Sequence, residues 1–256
     1  MNGLGNGALR FVMSTRIKAF LIHGLISISV AVLVVGLVFF IWYPAPLAKA
    51  VGVTHIFFMM LAIDVILGPL LTLLVYKKGK KTLFFDLTVI VLLQISALGY
   101  GLWTISQGRP AWLVFSVDRF DIVRVNEIDN RNIKKAQQAY QNPSWFYPQW
   151  VAATSPKNVE ENNTVTFEAV FSGIDIAQRP NLYSSLLNQK KQIQSKAKNI
   201  EDLHHYNNNL LVQKILLKYP QANAFVPLKA NAVDMTVLIN KEKGEVVKIV
   251  DLRPWK

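Results

Sequence analysis

Three long apolar runs decide what this chain can become. Phe20–Ile41 carries no charge and ends in AVLVVGLVFFI. Val53–Val75 is apolar apart from His55 and Asp64, and Leu83–Ile105 is apolar apart from Asp86 and Gln94. A helix needs about 20 apolar residues to cross about 30 Å of hydrocarbon. Each run meets that length, so the reading is three transmembrane helices. The first is too long for the apolar stretch of a signal peptide. It is followed by Tyr43-Pro44-Ala45-Pro46 and not by a small-x-small cleavage site.

Charge is distributed accordingly. The chain is 52% hydrophobic and 17% charged, against roughly 25% charged in average soluble domains. Residues 1–106 hold eight Lys and Arg and two acids, whereas residues 107–256 hold 20 bases and 14 acids. Each part is net +6, yet only the second has the composition of a soluble domain. A single soluble globule is excluded, and so is intrinsic disorder, because apolar content is far too high. The absence of cysteine removes disulfides, thiol catalysis and Cys-based metal sites.

Basic residues orient membrane helices, since Lys and Arg are retained on the cytoplasmic side. Arg10, Arg16 and Lys18 precede the first run, and Lys77, Lys78, Lys80 and Lys81 fill the turn between the second and third. The loop between the first two runs has only Lys49. The expectation is a cytoplasmic segment 1–19, three helices within 20–106 (about 20–41, 53–75 and 83–105), and a periplasmic domain 107–256. Trp42, Tyr43, Tyr100 and Trp103 cluster at the outer ends, as interfacial aromatics do. The lysine turn reads as a topology signal in preference to a lipid site.

Asp64 falls at the centre of the second run, where a carboxyl costs about 2.5–3.5 kcal/mol to insert. It should therefore face the helix bundle. Gln94, at the middle of the third run, and Ser27 or Ser29 on the first should meet it at one depth, with Gly24, Ala31, Ala97 and Gly101 permitting close approach. Pro69 should kink the second helix just beyond Asp64. Asp64, Gln94, Ser29 and Pro69 are thus the expected intramembrane contact, serving as structural glue or as a contact for a partner's helix. One ionisable group at mid-depth is too few for a proton or ion path. Asp86 should pair with the lysine turn.

Residues 107–256 read as α+β. Ala111–Val125 and Thr164–Phe171 have strand character, and Asn130–Tyr140 looks like a short polar helix. Pro180 opens an expected helix to about Lys198, and Asn199 caps another to about Tyr219. Val233–Asn240 and Glu245–Leu252 flank a turn containing Gly244, which makes a β-hairpin. Trp145, Phe146 and Tyr147, in a proline-bounded loop, are a possible partner surface.

The search for chemistry is thin. His204 and His205 are adjacent, so on a helix they diverge by about 100° and do not converge on one ion. No serine has a nucleophile-elbow setting. Gly3-Leu4-Gly5-Asn6-Gly7 follows no strand, which removes a phosphate loop. The basic face of Lys190, Lys191, Lys196 and Lys198 lies in the exported half, so it is not a nucleic-acid footprint. No catalytic, cofactor or metal site is expected, and no enzyme activity.

The residues do carry a resemblance. Ile17–His23 (IKAFLIH), Trp42-Tyr43-Pro44, the span HIFFMMLAIDVILGPLLTLLVYKKGKK (His55–Lys81), Phe85-Asp86-Leu87 and RPAWLVFSVDRFDIV (Arg109–Val123) together resemble the type IV pilin accessory proteins of the TfpX/TfpZ group. The match is close over about the first 125 residues and looser beyond. The resemblance implies a multi-pass bacterial inner-membrane protein, without enzyme activity or cofactor, that assists assembly, stability or surface display of a cognate major pilin. Pilus assembly machinery and membrane lipid are the further partners expected. Members of that group begin near the basic stretch, so Met13 is the expected start and Met1–Val12 a departure. The rival readings are a membrane-tethered periplasmic sensor or ligand-binding protein and a small transporter component. Neither is supported by a signalling module or by a chain of ionisable groups.

Overall fold

The computed structural model describes residues 14–256; the readings of Gly3–Gly7, Met1–Val12 and Met13 lie outside them. Packing divides the chain into two compact units. One holds the residues up to Val35 together with Ile56–Leu102, and the other Gly36–His55 with Trp103–Lys256.

The first unit is helical. Helix α1 spans Thr15–Gly36 and runs on as a π-helical turn, Leu37–Trp42. The first unit also holds most of α3, Val53–Val75, and α4, Leu83–Gln107, whereas the π-helical turn and a short helix α2, Leu47–Val51, fall in the second unit. Among the described residues three helices are long and apolar enough to cross a membrane: Thr15–Trp42, Val53–Val75 and Leu83–Gln107. Glycines set their separation. A Cβ at Gly68 of α3 would run into the Gln94 amide of α4, and one at Gly101 of α4 into the Met60 thioether of α3. A Cβ at Gly24 of α1 would sit 3.8 Å from the Pro69 ring. Such small-residue seams let helix backbones approach where no hydrophobic force drives them together. The Arg16 guanidinium donates to the carbonyls of Leu73 and Leu74, placing a cation on the negative end of α3. Lys80 pairs with Asp86 at 2.7 Å.

The second unit is built on one eight-stranded sheet, ordered β4-β3-β1-β2-β6-β7-β8, with β5 also paired to β6. Its strands are β1 (Pro110–Ser116), β2 (Arg119–Arg124), β3 (Gln149–Ala153), β4 (Tyr183–Ser184), β5 (Lys198–Asn199), β6 (Ala224–Lys229), β7 (Met235–Asn240) and β8 (Glu245–Val250). β1 and β2 form an antiparallel hairpin, β1–β3 and β2–β6 are parallel, and β6-β7-β8 is an antiparallel meander. Gly244 takes the left-handed φ of +62° at the last turn, the conformation glycine adopts without steric cost.

The core of this unit recruits residues from between the first two apolar helices. Leu47 and Ala50 are buried among Phe115, Phe120, Val226 and Val237. The Ala50 carbonyl accepts from the amides of Ala232 and Val233 at 2.9 and 3.1 Å. Lys49 pairs with Asp251 at 2.6 Å.

Several local expectations are corrected. Thr164–Phe171 is not a strand but part of helix α5, Val159–Phe171. The Asn158 side chain accepts from the Glu160 amide at 2.9 Å, and Glu160 and Glu161 sit on the positive helix end. That cap outweighs the alternating pattern. The helix expected from Pro180 to Lys198 is instead a 3₁₀ turn, Pro180–Leu182, strand β4, a second turn, Leu186–Gln189, and the short α6, Lys190–Lys196. Tyr183 explains the break: it is buried against Trp112 and Tyr140, and its hydroxyl donates to the Ala177 carbonyl at 2.5 Å. Asn199 does cap a helix, but a 3₁₀ one ending at His205, and Asn208 starts α7, Asn209–Leu216. Asn130–Tyr140 holds two isolated turns, not a helix.

An ion cluster fastens α5. Arg131 meets Asp129 at 2.7 Å and Glu168 of α5 at 2.6 Å. Arg179, whose side chain is only 7% exposed, pairs with Glu168 and lies 3.6 Å from Asp129.

Candidate functional site

The helical unit contains a hydrogen-bonded chain that crosses all three helices. His23 of α1 lies with Nδ1 2.6 Å from Thr72 Oγ1 of α3 and Nε2 2.8 Å from Gln94 Oε1 of α4. Gln94 Nε2 then donates to the Asp64 backbone carbonyl of α3 at 3.1 Å. One neutral tautomer satisfies the whole sequence. The Thr72 hydroxyl donates to Nδ1, Nε2–H donates to Gln94, and the Gln94 amide donates to α3. In an apolar medium an unpaired polar group costs several kcal/mol, so this chain is what lets the side chains of His23, Thr72 and Gln94 sit among apolar ones.

Helical spacing builds the arrangement. Asp64, Gly68 and Thr72 follow one another at i, i+4 and i+8, so they form a single stripe along α3. Gly68 leaves the gap into which Gln94 reaches. On α1, His23, Ser27 and Val30 share a face in the same way.

This stripe floors a groove of about 570 Å³. One wall is α1, through Ile22, Ile26 and Val30, and the other is α4, through Leu87, Val91 and Leu98. Leu87 to Leu98 spans about 16 Å at 1.5 Å per residue, which is three turns of helix. The walls are apolar and the floor carries His23, Asp64, Thr72 and Gln94. A half-buried carboxyl in an apolar trough suits a helix that brings one hydrogen-bond donor to it.

The expected residues are distributed as follows. Asp64 and Gln94 meet. Ser29 does not join them: it is exposed, and its hydroxyl donates to Leu25 of its own helix at 2.8 Å. Ser27 is the serine that lines the groove. Pro69 lies within α3 and borders a second, smaller groove with Gly24 and Phe20. Trp145, Phe146 and Tyr147 stand exposed in the sheet unit. His23 and Thr72 were not anticipated. The i, i+4, i+8 stripe from Asp64 is the sequence signal that reaches Thr72. His204 bonds Asn209 at 2.8 Å, and among the described residues no group of three or more His, Asp and Glu is placed to hold a metal ion.

Replacing Gln94 with leucine removes two links of the chain at once. Interhelical hydrogen bonds of this kind average about 0.6 kcal/mol and reach about 1.7. The variant should lose about 1–2 kcal/mol of helix-unit stability, read as a lower denaturant midpoint in mild detergent. An unchanged midpoint would show that the chain does not hold the helices together.

Three helices long and apolar enough to cross a membrane, with a separate sheet unit, fit a membrane-associated protein, and the comparisons with known proteins give its family. The family model described as fimbrial assembly protein FimB matches residues 11–52. A fimbrial assembly protein of serogroup E1 from Dichelobacter nodosus is 32% identical over 242 residues, covering 91% of this chain and 93% of that protein. A serogroup I counterpart from the same organism is 35% identical over 191 residues, 74% of this chain and 73% of its own length. The chain belongs to the fimbrial assembly protein family, the type IV pilus accessory proteins. The longer alignment covers so much of the chain that the likeness takes in the sheet unit as well as the helices. No solved structure matches the chain.

Proposed function

We propose that this protein is a non-enzymatic, multi-pass inner-membrane component that receives the apolar helix of its cognate major pilin in the α1/α4 groove. The observation that carries the reading is the groove itself: apolar walls three helical turns long over a floor that presents Asp64. A type IV pilin waits in the inner membrane with an apolar helix inserted and its head outside. A trough of this length and polarity matches such a helix as helix-in-groove recognition requires. The amino terminus and the lysine turn face the cytoplasm, because Lys and Arg concentrate there, and the sheet unit faces the periplasm.

Photocrosslinking in vivo tests the reading. A crosslinker at Ile26 or Leu98, both lining the groove, should give a pilin adduct. One at Leu93, which is exposed on α4 but absent from the groove, should not. Equal adducts from Leu93, or none from the groove, would sink it.

A further inference from the structure

Trp145, Phe146 and Tyr147 are 63%, 65% and 58% exposed. Burial of large aromatic side chains is favourable, so three in succession on a domain surface call for a cover. The loop that carries them is held in place. The Ser144 hydroxyl accepts from the Phe146 amide at 3.2 Å, and the Ser144 amide donates to Gln149 at the start of β3 at 3.3 Å.

Its position follows from one buried cation. Arg109, 4% exposed, donates Nη1 to the Ser106 carbonyl in the last turn of α4 at 2.8 Å and Nη2 to the Ser144 carbonyl at 3.2 Å. Its guanidinium stacks 4.7 Å over the Trp145 ring. A single arginine therefore spans from the end of an apolar helix to the aromatic loop. A second helix end lies at the same level: the hydroxyl of Tyr43, the residue after the π-helical turn, donates to the Ile105 carbonyl at 2.7 Å. Tyr147 borders one groove with Pro44 and Ala45, just beyond that end.

We infer that Trp145, Phe146 and Tyr147 are a membrane anchor, inserted into the headgroup layer of the bilayer beside the outer ends of α1 and α4. This rests on the reading that those helices span a membrane. The occupant is lipid and not a pilin head because the loop is tied to two apolar helix ends. There the interface is already present before any partner arrives, and Trp and Tyr are the residues that settle at that depth. The anchor complements Trp103, which is exposed at the end of α4.

The chain has no cysteine, so single-site spin labelling of the full protein is direct. In phosphatidylethanolamine–phosphatidylglycerol vesicles, a nitroxide on Phe146→Cys should collide more with oxygen than with a water-soluble nickel chelate. One on Leu210→Cys, on the exposed face of α7, should show the reverse, giving several-fold different ratios. Arg109→Ala should shift the label at 146 toward water. A label at 146 that behaves like the one at 210 overturns the anchor. So does shielding at 146 that develops only when purified pilin is added. A label on Leu93→Cys separates the two readings. If it reports lipid while 146 reports water, only the anchor falls; if it too reports water, the membrane reading falls with it.

Discussion

A tryptophan at Val91 should lower surface piliation by about an order of magnitude or more while the amount of accessory protein in the membrane stays unchanged. Val91 lines the α4 wall of the groove and takes no part in the His23–Gln94 chain. It is 43% exposed, so an indole there projects into the trough without displacing a packed neighbour. Forcing excess volume against the pilin helix proposed to dock there costs about 1–3 kcal/mol, which corresponds to about 5- to 150-fold weaker docking. The control is Leu93→Trp, whose side chain stands outside the groove and should leave piliation as it was. Sheared pili quantified against cellular pilin give the readout, with immunoblotting for the accessory protein. Normal pili in the Val91→Trp strain would remove the groove from the function. Equal loss from both tryptophans would point to a general disturbance of α4.

Much of this arrangement is legible in the chain, and what is not has identifiable causes. α3 begins and ends where the apolar run does, because the only signal needed is uninterrupted length. Asp64 and Gln94 declare themselves by their cost in such a run. His23 does not, since it lies inside Phe20–Ile41, a run that reads as uncharged throughout. Thr72 hides because a threonine bonds to its own helix as readily as to a neighbour. The choice of Ser29 over Ser27 turns on 200° of helical rotation, which mid-span depth alone does not specify. In the sheet unit the hairpin β7–β8 is local in sequence and follows from its turn. The pairing of β1 with β3 and of β2 with β6, and the burial of Leu47 in the same core, join segments far apart in the chain. No local pattern announces such contacts. The α5 region fails differently, with period-2 and capping signals in conflict. The cap at Asn158 wins because Arg131 and Arg179 hold Glu168, and so the helix, against the domain.

That attachment yields the second large effect, loss of the sheet unit's stability on replacing Arg179 with alanine. Arg179 and the Asp129 carboxyl are 7% and 6% exposed, and removing one partner of a buried pair costs about 3–5 kcal/mol because the other charge is left uncompensated. Arg131 still reaches both acids, so neither carboxylate is left alone and the loss should fall below that range, seen as a lower unfolding midpoint for the full chain in detergent. Acid should act on the same cluster. Hydrogen bonds from Arg131 and then Arg179 hold the Glu168 carboxyl down at about 2, against an ordinary value of 4.5. Arg131 likewise keeps Asp129 below its usual range. Each carboxyl is thus a stronger acid in the folded than in the unfolded chain. The Glu168 contribution is complete above about pH 4.5 and is lost as the pH falls toward 2. The wild-type midpoint should accordingly drop across that window. The Arg179→Ala midpoint should drop less, since part of what acid removes is already missing. Parallel pH curves for the two proteins would show that the cluster does not couple protonation to folding.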